Sequence, residues 1–371
     1  MLGIGVSAAC GVSINNSRRP VAEVGAPALP SARKVWPQAF FVVPQFIKGI
    51  GDVTPVVMLD RNTVLLAHGD VVADDTRPAM ISYDRRTGRH RVLATAPKGG
   101  VYHDVLKVAL TDDEIIWIAG GDPSPQQIWA MPRTGGSMRL IAAPISGPET
   151  VDGMEVTKDE VIWWEEGEVY RVPLAGGIPQ KSSIGKHRSI ASWPWAYDEQ
   201  SDDITNLVTS EKRDTGAVDG LFKRCGPTWC VGAARPEQNE ITQVVVQRSD
   251  GTDRRVFPGQ HRQRGLAAER FGFSDPPLVY GRSGGTTISS GWSSDSLGNV
   301  AVIYDRCTGK TALLDPPDVK ASLSAGLQYD PGVIRIGADK SGTLLLWNAL
   351  RERHAVMDLA GIPSGSCGDI R

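Results

Sequence analysis

An internal repeat restricts the possible folds more than any other feature of this sequence. Val108–Trp117 reads Val-Ala-Leu-Thr-Asp-Asp-Glu-Ile-Ile-Trp, and Met154–Trp163, 46 residues later, reads Met-Glu-Val-Thr-Lys-Asp-Glu-Val-Ile-Trp. A second pair lies 41 residues apart, with Ile-Trp-Ala-Met-Pro-Arg-Thr-Gly-Gly at Ile128–Gly136 and Val-Tyr-Arg-Val-Pro-Leu-Ala-Gly-Gly at Val169–Gly177. Each copy predicts four short strands joined by turns within about 40–45 residues, which is the size of one propeller blade.

The spacing of one turn sequence predicts the number of blades. Tyr-Asp-Arg-Arg-Thr-Gly at Tyr83–Gly88 recurs as Tyr-Asp-Arg-Cys-Thr-Gly at Tyr304–Gly309, 221 residues later. With a repeat of about 44 residues, these turns lie five units apart, and the turn at Gln247–Gly251 lies about four units after the first. We therefore predict an all-β fold, a single β-propeller over residues 36–371 with seven four-stranded blades. Six longer blades are the alternative, because parts of the repeat are irregular.

A propeller ring also needs a closing contact between its two ends. The apolar segment Ala39–Val43 precedes the first complete unit, so we expect it to form a strand in the sheet of the last blade. Trp193 and Trp195 fall where the repeat places a buried second strand, which predicts a packing role for them.

The Ile-Trp/Val-Tyr-x-x-Pro-x-x-Gly-Gly pattern resembles the repeats of TolB-like and WD40-like β-propellers. The chain also resembles a group of exported actinobacterial TolB-like proteins, through Trp36-Pro37, Trp193–Ala196 and the Cys-Gly-Pro-Thr-Trp-Cys segment at Cys225–Cys230. The resemblance implies a propeller fold, and TolB itself implies a periplasmic, protein-binding role. Propellers carry many unrelated functions, so the fold alone does not define this one.

The first ten residues predict export. Met1–Cys10 is small and apolar and ends in Ala-Ala-Cys, which resembles the end of a bacterial lipoprotein signal. We predict a signal or lipobox-like segment at residues 1–10, lipidation of Cys10 and a flexible linker at residues 11–35. The segment lacks the basic residues of such signals, so an ordinary flexible terminus is the alternative. No other run is long and apolar enough to span a bilayer, so the only membrane contact predicted is a lipid anchor.

The cysteines agree with an oxidising compartment. With Cys10 set aside, four remain, and Cys225 and Cys230 flank a four-residue turn that would place them opposite each other in a hairpin. We predict this disulfide and, by elimination, a second one between Cys307 and Cys367. Four buried free thiols are the alternative. A zinc site is disfavoured, because neither a second close cysteine pair nor a suitably spaced histidine accompanies them.

Charge and motifs argue against several function classes. Forty basic and forty-two acidic residues leave a net charge of −2, which disfavours a nucleic-acid-binding surface. The nearest string to a Gly-x-Ser-x-Gly motif is Gly291–Asp295, which lacks the closing glycine, and no His-Glu-x-x-His or phosphate-binding loop is present. We therefore predict no catalytic residue, cofactor or metal ligand. The six histidines are far apart in sequence, and a pair that meets in the central channel is left open.

Two segments are candidate binding surfaces. A long polar loop carries Trp292, a ring suited to stacking on a sugar or gripping a protein. A local basic stretch that could bind an acidic partner contains Arg254, Arg255, His261, Arg262 and Arg264. The alternatives are a tryptophan packed into a neighbouring blade and an ordinary solvated loop.

These features together predict an extracytoplasmic, non-catalytic binding or scaffold propeller. It would be extracellular or anchored at the cell surface and would bind a protein or carbohydrate partner at the cell envelope. The alternative is a propeller enzyme, a lyase or glycoside-acting protein that uses the central channel. An enzyme should show carboxylates, histidine or tyrosine with shifted pKa values at the channel, whereas a binding protein should show an apolar or aromatic patch.

Overall fold

The described chain consists almost entirely of β-strands. The computed structural model describes residues 30–68, 79–95, 104–121, 124–143, 151–165, 167–185, 188–198, 200–216, 221–234, 243–256, 272–274, 278–283, 300–305, 308–314, 334–336, 344–349 and 353–362. They form 29 strands, one four-residue helix α1 (Ala32–Val35) and a 3₁₀ turn at Leu359–Gly361. No helix in this part of the chain could cross a membrane.

The strands form seven antiparallel sheets that follow one another along the chain. The first three sheets contain β2 (Phe46–Ile47), β3 (Gly51–Met58), β4 (Thr63–His68), β5 (Ala79–Asp84) and β6 (His90–Thr95); β7 (Asp104–Leu110), β8 (Glu114–Gly121), β9 (Ser124–Pro132) and β10 (Arg139–Ala142); and β11 (Gly153–Val156), β12 (Glu160–Glu165), β13 (Glu168–Pro173) and β14 (Gln180–Ser183). The fourth and fifth contain β15 (Arg188–Ser192), β16 (Trp195–Asp198), β17 (Asp203–Asn206) and β18 (Lys212–Asp214); and β19 (Leu221–Cys225), β20 (Trp229–Ala234), β21 (Gln243–Arg248) and β22 (Arg255–Val256). The last two contain β23 (Gly272–Ser274), β24 (Leu278–Ser283), β25 (Val300–Asp305) and β26 (Thr311–Leu314); and β27 (Ile334–Ile336), β28 (Leu344–Ala349) and β29 (Arg353–Asp358), joined by β1 (Phe40–Pro44).

The topology is that of a β-propeller. In six of the seven sheets the strands pair with their neighbours in chain order, as in a meander, and in the seventh β1 joins β29. Strands at or next to the start of different sheets contact one another: β7 meets β3, β11 and β27, and β15 meets β19. Such contacts are expected where the first strand of each blade lies nearest a common axis. The number of blades, seven from the repeat spacing, stays a prediction.

The two ends of the chain meet in the seventh sheet. β1 pairs with β29 in an antiparallel register from Phe40 opposite Met357 to Pro44 opposite Arg353. Beside this pair, Trp36 and Ala39 are buried against Met357. The predicted closing strand is therefore confirmed, and it covers an edge of β29 that would otherwise be open. Helix α1 lies within the predicted linker and contacts β26, with Ala32 buried.

The tryptophans that recur in the sequence repeat fill the space between sheets. Trp117 and Trp163 are both 0% exposed. Trp117, on β8, packs in a cluster with Leu66 and other residues of the first sheet, and Trp163, on β12, packs with Ile116 of the second sheet. Each tryptophan thus joins its own sheet to the preceding one. Trp195 is likewise buried on the second strand of the fourth sheet, as predicted.

The Gly-Gly turns of the repeat connect neighbouring sheets. The amide of Gly136 donates to the carbonyl of Leu93 at 3.1 Å, and the amide of Gly177 donates to that of Ile141 at 3.3 Å. Gly135, which precedes Gly136, has a φ of +84°, and a Cβ added there would lie 2.8 Å from the Leu93 oxygen. Only glycine combines this backbone conformation with so close an approach. The Gly-Gly turns of the repeat therefore make hydrogen bonds between sheets, from Gly136 to Leu93 and from Gly177 to Ile141, and we call each of these a latch.

The recurring Tyr-Asp-Arg turns also occupy equivalent places. Both join the last two strands of a sheet, β5 to β6 in the five-stranded first sheet and β25 to β26 in the four-stranded sixth. In each, the glycine donates to the carbonyl of the aspartate, Gly88 to Asp84 and Gly309 to Asp305, both at 2.8 Å. The two turns are five sheets apart in chain order, as their 221-residue offset predicts.

Candidate functional site

A polar cleft of about 470 Å³ opens between the first and second sheets. Its walls are the turn from β3 to β4, the hairpin of β5 and β6, and the turn from β9 to β10. The described residues that line it are Leu59, Asp60, Thr63, Ser82, Asp84, Arg89, His90, Arg91, Arg133 and Thr134. We call it the arginine cleft.

The two aspartates of the arginine cleft hold their own turns in shape. Oδ1 of Asp84 accepts the amides of Arg86 at 2.8 Å and Thr87 at 3.1 Å, and these hydrogen bonds lower the pKa of Asp84. Oδ1 of Asp60 accepts the amides of Asn62 and Thr63 at 2.8 and 3.0 Å. Partial burial acts to raise the pKa of Asp60, but these hydrogen bonds and the charge of Arg133 lower it overall. Each carboxylate is thus ionised and engaged within its turn.

Arg133 bridges the two sheets below the opening. Its Nη1 donates to the carbonyl of Thr111 at 3.2 Å, and its Nη2 donates to the carbonyl of Leu59. Both acceptors are neutral, so these hydrogen bonds orient the guanidinium, and its charge is partly offset only by the nearby carboxylate of Asp60 among the described residues. Arg133 therefore supplies a fixed positive charge to the cleft.

Arg89 and Arg91 are exposed and come from a strongly basic hairpin. The sequence from Asp84 reads Asp-Arg-Arg-Thr-Gly-Arg-His-Arg. Neither the Arg89 nor the Arg91 side chain has a hydrogen-bond or ion-pair partner among the residues that the structure describes. The cleft thus holds three guanidinium groups and two ionised carboxylates, which leaves an excess of one positive charge, and both carboxylates accept hydrogen bonds within their own turns. This arrangement suits an anionic ligand.

The equivalent position in the second sheet is neutralised. Arg91 lies opposite Ser82, and Ser82 lies opposite Leu65, which is two residues from Thr63 on the same face of the sheet. In the second sheet, Arg139 takes the place of Arg91. The corresponding path across its strands leads through Ala130 and Ile116 to Glu114. There the Glu114 carboxylate accepts Arg139 Nε at 3.2 Å and Nη2 at 2.6 Å. At the position of Glu114 the first sheet has Thr63, so Arg91 has a threonine beside it where Arg139 has a carboxylate.

Two described histidines bind the start of β3. The ring Nδ1 of His68 donates to the carbonyl of Asp52 at 2.5 Å, and Nε2 of His354 donates to the carbonyl of Val53 at 2.8 Å. His68 is on β4, so its hydrogen bond lies within the first sheet, whereas His354 is on β29 and ties the seventh sheet to the first. Burial lowers the pKa of His354, although its hydrogen bond and the charge of Asp52 oppose the shift. The described residues include no group of three His, Cys, Asp or Glu that could hold a metal ion.

A buried carboxylate lies between the second and third sheets. Glu165 is 8% exposed, opposite Glu168 on the neighbouring strand, and faces Tyr170. Burial raises the pKa of Tyr170, and its hydrogen bond to Glu165 raises it further. These residues lie on β12 and β13, the second and third strands of their sheet, away from the leading strands nearest the axis.

The residues predicted from the sequence have different outcomes. Cys225 and Cys230 form the predicted disulfide, directly opposite each other across the hairpin of β19 and β20, and both are buried. Arg254 is exposed at the turn before β22, and Arg255 begins that strand. The other predicted residues lie outside the described residues, namely Cys10, His261, Arg262, Arg264, Trp292, Cys307 and Cys367.

The arginine cleft is not among the sites predicted from the sequence. The run Arg85-Arg86-Thr-Gly-Arg89-His-Arg91 was a visible signal, since it places four arginines within seven residues. Its repeat counterpart at Tyr304–Gly309 has a single arginine, so what the two segments share predicts the shape of the turn and not its charge. Arg133, from a different unit of the repeat, could be added only from the structure.

Comparisons with known proteins find similarity only among solved structures. No protein-family model matches the sequence, and no curated protein does. Solved structures similar to the chain include the WD40 domain of Neurospora crassa Pan2 (9% identity, 82% of this chain and 88% of that one, TM-score 0.43) and the AfRom2 CNH domain (8%, 86% and 98%, 0.44). Another is TolB from Acinetobacter baumannii (13%, 70% and 53%, 0.29), of which this chain spans about half the length. TolB and a WD40 domain are therefore among its structural neighbours, and its own sheet topology is that of a β-propeller.

Proposed function

We propose that this protein is a non-catalytic propeller that works outside the cytoplasm and binds an acidic segment of a partner protein in the arginine cleft. One observation carries the proposal: Arg91 has no carboxylate partner in the described chain, whereas its counterpart Arg139 pairs with Glu114. Together with Arg89 and Arg133, Arg91 presents charge that an acidic ligand would neutralise.

The lining of the cleft favours a protein over a carbohydrate. Sugar-binding sites commonly use an exposed aromatic ring as a stacking platform. No Trp, Tyr or Phe is among the described residues that line the arginine cleft. Its guanidinium, hydroxyl and imidazole groups suit carboxylates, its own two carboxylates accept hydrogen bonds within their turns, and the adjoining strand β6 is the outermost of its sheet.

The disulfide supports a location outside the cytoplasm. Disulfides persist in oxidising compartments and are rare in the bacterial cytoplasm, and Cys225–Cys230 is buried in the fifth sheet. A lipid at Cys10 remains part of the proposal. Expression with the native upstream region, followed by fractionation and mass spectrometry of the N-terminus, tests it. A diacylglyceryl cysteine in the membrane fraction is expected, and an uncut cytoplasmic protein would contradict export.

Binding is tested with a fluorescent peptide rich in Asp and Glu, by fluorescence anisotropy. Thr63→Glu supplies the carboxylate that Arg91 lacks and should weaken binding about tenfold, as Arg91→Ala should. Thr209→Glu is the matched control, because it makes the same charge change at an exposed turn of the fourth sheet. We expect it to leave the affinity unchanged.

Three results would contradict the proposal. The first is equal binding by the parent protein, Thr63→Glu and Arg91→Ala. The second is tighter binding of an acidic polysaccharide such as a polyuronate, which would indicate a carbohydrate partner. The third is turnover of a glycoside or uronate, which would favour the enzyme alternative.

A further inference from the structure

The arginine cleft adjoins a strand edge that is open within the described chain. β6 ends the first sheet, and its first three residues, His90, Arg91 and Val92, are exposed. The latch from Gly136 reaches the Leu93 carbonyl and so bounds this open edge at one end. Among the described residues, no strand pairs with β6 on this side.

The backbone direction along β6 can be read from its pairing with β5. The amide of Asp84 donates to the carbonyl of Arg89 at 2.8 Å, so the backbone of Arg89 points inward. Backbone groups alternate along an antiparallel strand. His90 and Val92 therefore present their amides and carbonyls outward, at the free edge.

The side chains alternate as well, and this brings the charge to one face. Arg89 and Arg91 are two positions apart and both line the arginine cleft. Successive side chains of a strand point to opposite faces of the sheet, so a strand added beside β6 would direct every second side chain toward this face. Val92, which follows Arg91, would lie on the other face and is 46% exposed, whereas His90 at the start of the strand also lines the cleft.

We infer that the partner's acidic segment binds as an added β-strand along His90–Val92, with acidic residues at positions i and i+2 in the cleft and an apolar residue between them. This inference rests on the proposed function, because it specifies the form of the same ligand. Main-chain hydrogen bonds to His90 and Val92 would supply affinity, and the arginines would select the alternating charge.

Two peptides of identical composition test the pattern, one alternating as Glu-Val-Glu-Val-Glu and one with the three glutamates in a block. We expect the alternating peptide to bind about tenfold more tightly, because only it can direct its carboxylates to one face while it pairs with β6. N-methylation of alternate peptide amides should abolish binding in one register and spare it in the other. Hydrogen exchange at the amides of His90 and Val92 should slow when the alternating peptide is bound.

The outcomes separate this inference from the proposed function. If both peptides bind equally, remain sensitive to Thr63→Glu and leave the two amides unprotected, the cleft binds acidic segments by charge alone and strand addition is wrong. If neither peptide binds, the proposed function fails. Slowed exchange at His90 and Val92 at high protein concentration without peptide would show that a second copy of this chain occupies the edge, and it would contradict a partner segment.

Discussion

The junction between the first and second sheets and the junction between the second and third are built alike but charged differently. In each, a buried tryptophan fills the space to the preceding sheet and a Gly-Gly turn reaches that sheet's outer strand. At the second junction, Arg139 forms an ion pair with Glu114, and its Nη1 also donates to the Leu174 carbonyl at 2.5 Å. At the first junction, Arg91 stays open to solvent beside Thr63.

The difference shows that packing and surface charge are set by separate positions of the repeat. Trp117 and Trp163 hold the sheets together and are the same residue in both units. The position of Glu114 or Thr63 lies at the rim, where a change costs the fold little. Under the proposed function, a unit would gain a binding surface when it loses one carboxylate.

The largest expected effect tests whether the two junctions are packed equally well. Trp117→Ala and Trp163→Ala should each lower the free energy of unfolding by about 3–5 kcal/mol, because each empties a fully buried site. Denaturant unfolding measures this. A much smaller loss for Trp117→Ala would mean that the cleft reflects loose packing at the first junction and not a difference in charge.

Trp→Phe variants are the matched controls. The indole Nε1 atoms of Trp117 and Trp163 have no hydrogen-bond partner among the described residues. Replacing either with phenylalanine removes this unpaired donor along with some volume, so we expect losses well below those of the alanine variants, about 1–2 kcal/mol.

The latches should differ in their tolerance of a side chain. A Cβ at Gly135 would lie 2.8 Å from the Leu93 oxygen, whereas one at Gly176 would lie 3.2 Å from the Ile141 oxygen. The φ angle is +84° at Gly135 and +95° at Gly176. We expect Gly135→Ala to cost about 2–3 kcal/mol and Gly176→Ala about 1–2 kcal/mol, measured by thermal unfolding. Gly88→Ala, with φ +71° and its nearest atom 3.8 Å away, isolates the conformational cost. The reverse order would show that the two latches are not equivalent.

Removing the carboxylate from the second junction should make it resemble the first. Glu114→Thr should lower stability by only about 0.5 kcal/mol, since the ion pair is partly exposed, and should create a second site for acidic peptides. A doubled binding stoichiometry in calorimetry is the expected readout. Glu160→Thr is the control, because the position equivalent to Arg139 in the third sheet is Gln180. An unchanged stoichiometry for Glu114→Thr would mean that one free arginine is not enough.

The smallest expected effect concerns the closing junction, between the seventh and first sheets. Burial lowers the pKa of His354 in the folded protein, so the unfolded chain takes up the proton first as the pH falls. The stability that neutral His354 contributes is present above about pH 6.5 and is lost as the pH drops toward the folded-state pKa. His354→Gln keeps a donor for the Val53 carbonyl and should flatten the stability curve between about pH 7 and 5. An unaltered slope would show that His354 does not titrate across this range.

The sequence predicts the fold better than the site, for physical reasons. Blade spacing, the closing strand and the Cys225–Cys230 disulfide depend on local patterns of strand, turn and register, and these are visible in the repeat. The arginine cleft combines Arg91 with Arg133, which belong to different units. The charge of the cleft also depends on the lack of a carboxylate beside Arg91, and the sequence alone does not show which residues pair across the strands. The predicted basic stretch that begins at Arg254 has charges close together in sequence. The described residues do not include a second wall that would make it a cleft.

Ring closure through β1 and β29 also fixes when this protein can finish folding. The contact between His354 and Val53 joins residues 301 positions apart, and the β1–β29 pairing spans a similar distance. At about 5–20 residues per second of synthesis, the first strand waits roughly 15–60 s for its partner. During that time β1 has no partner and the first sheet lacks its neighbour across the seam. Assembly ahead of the last strand would therefore leave the ring open at this seam.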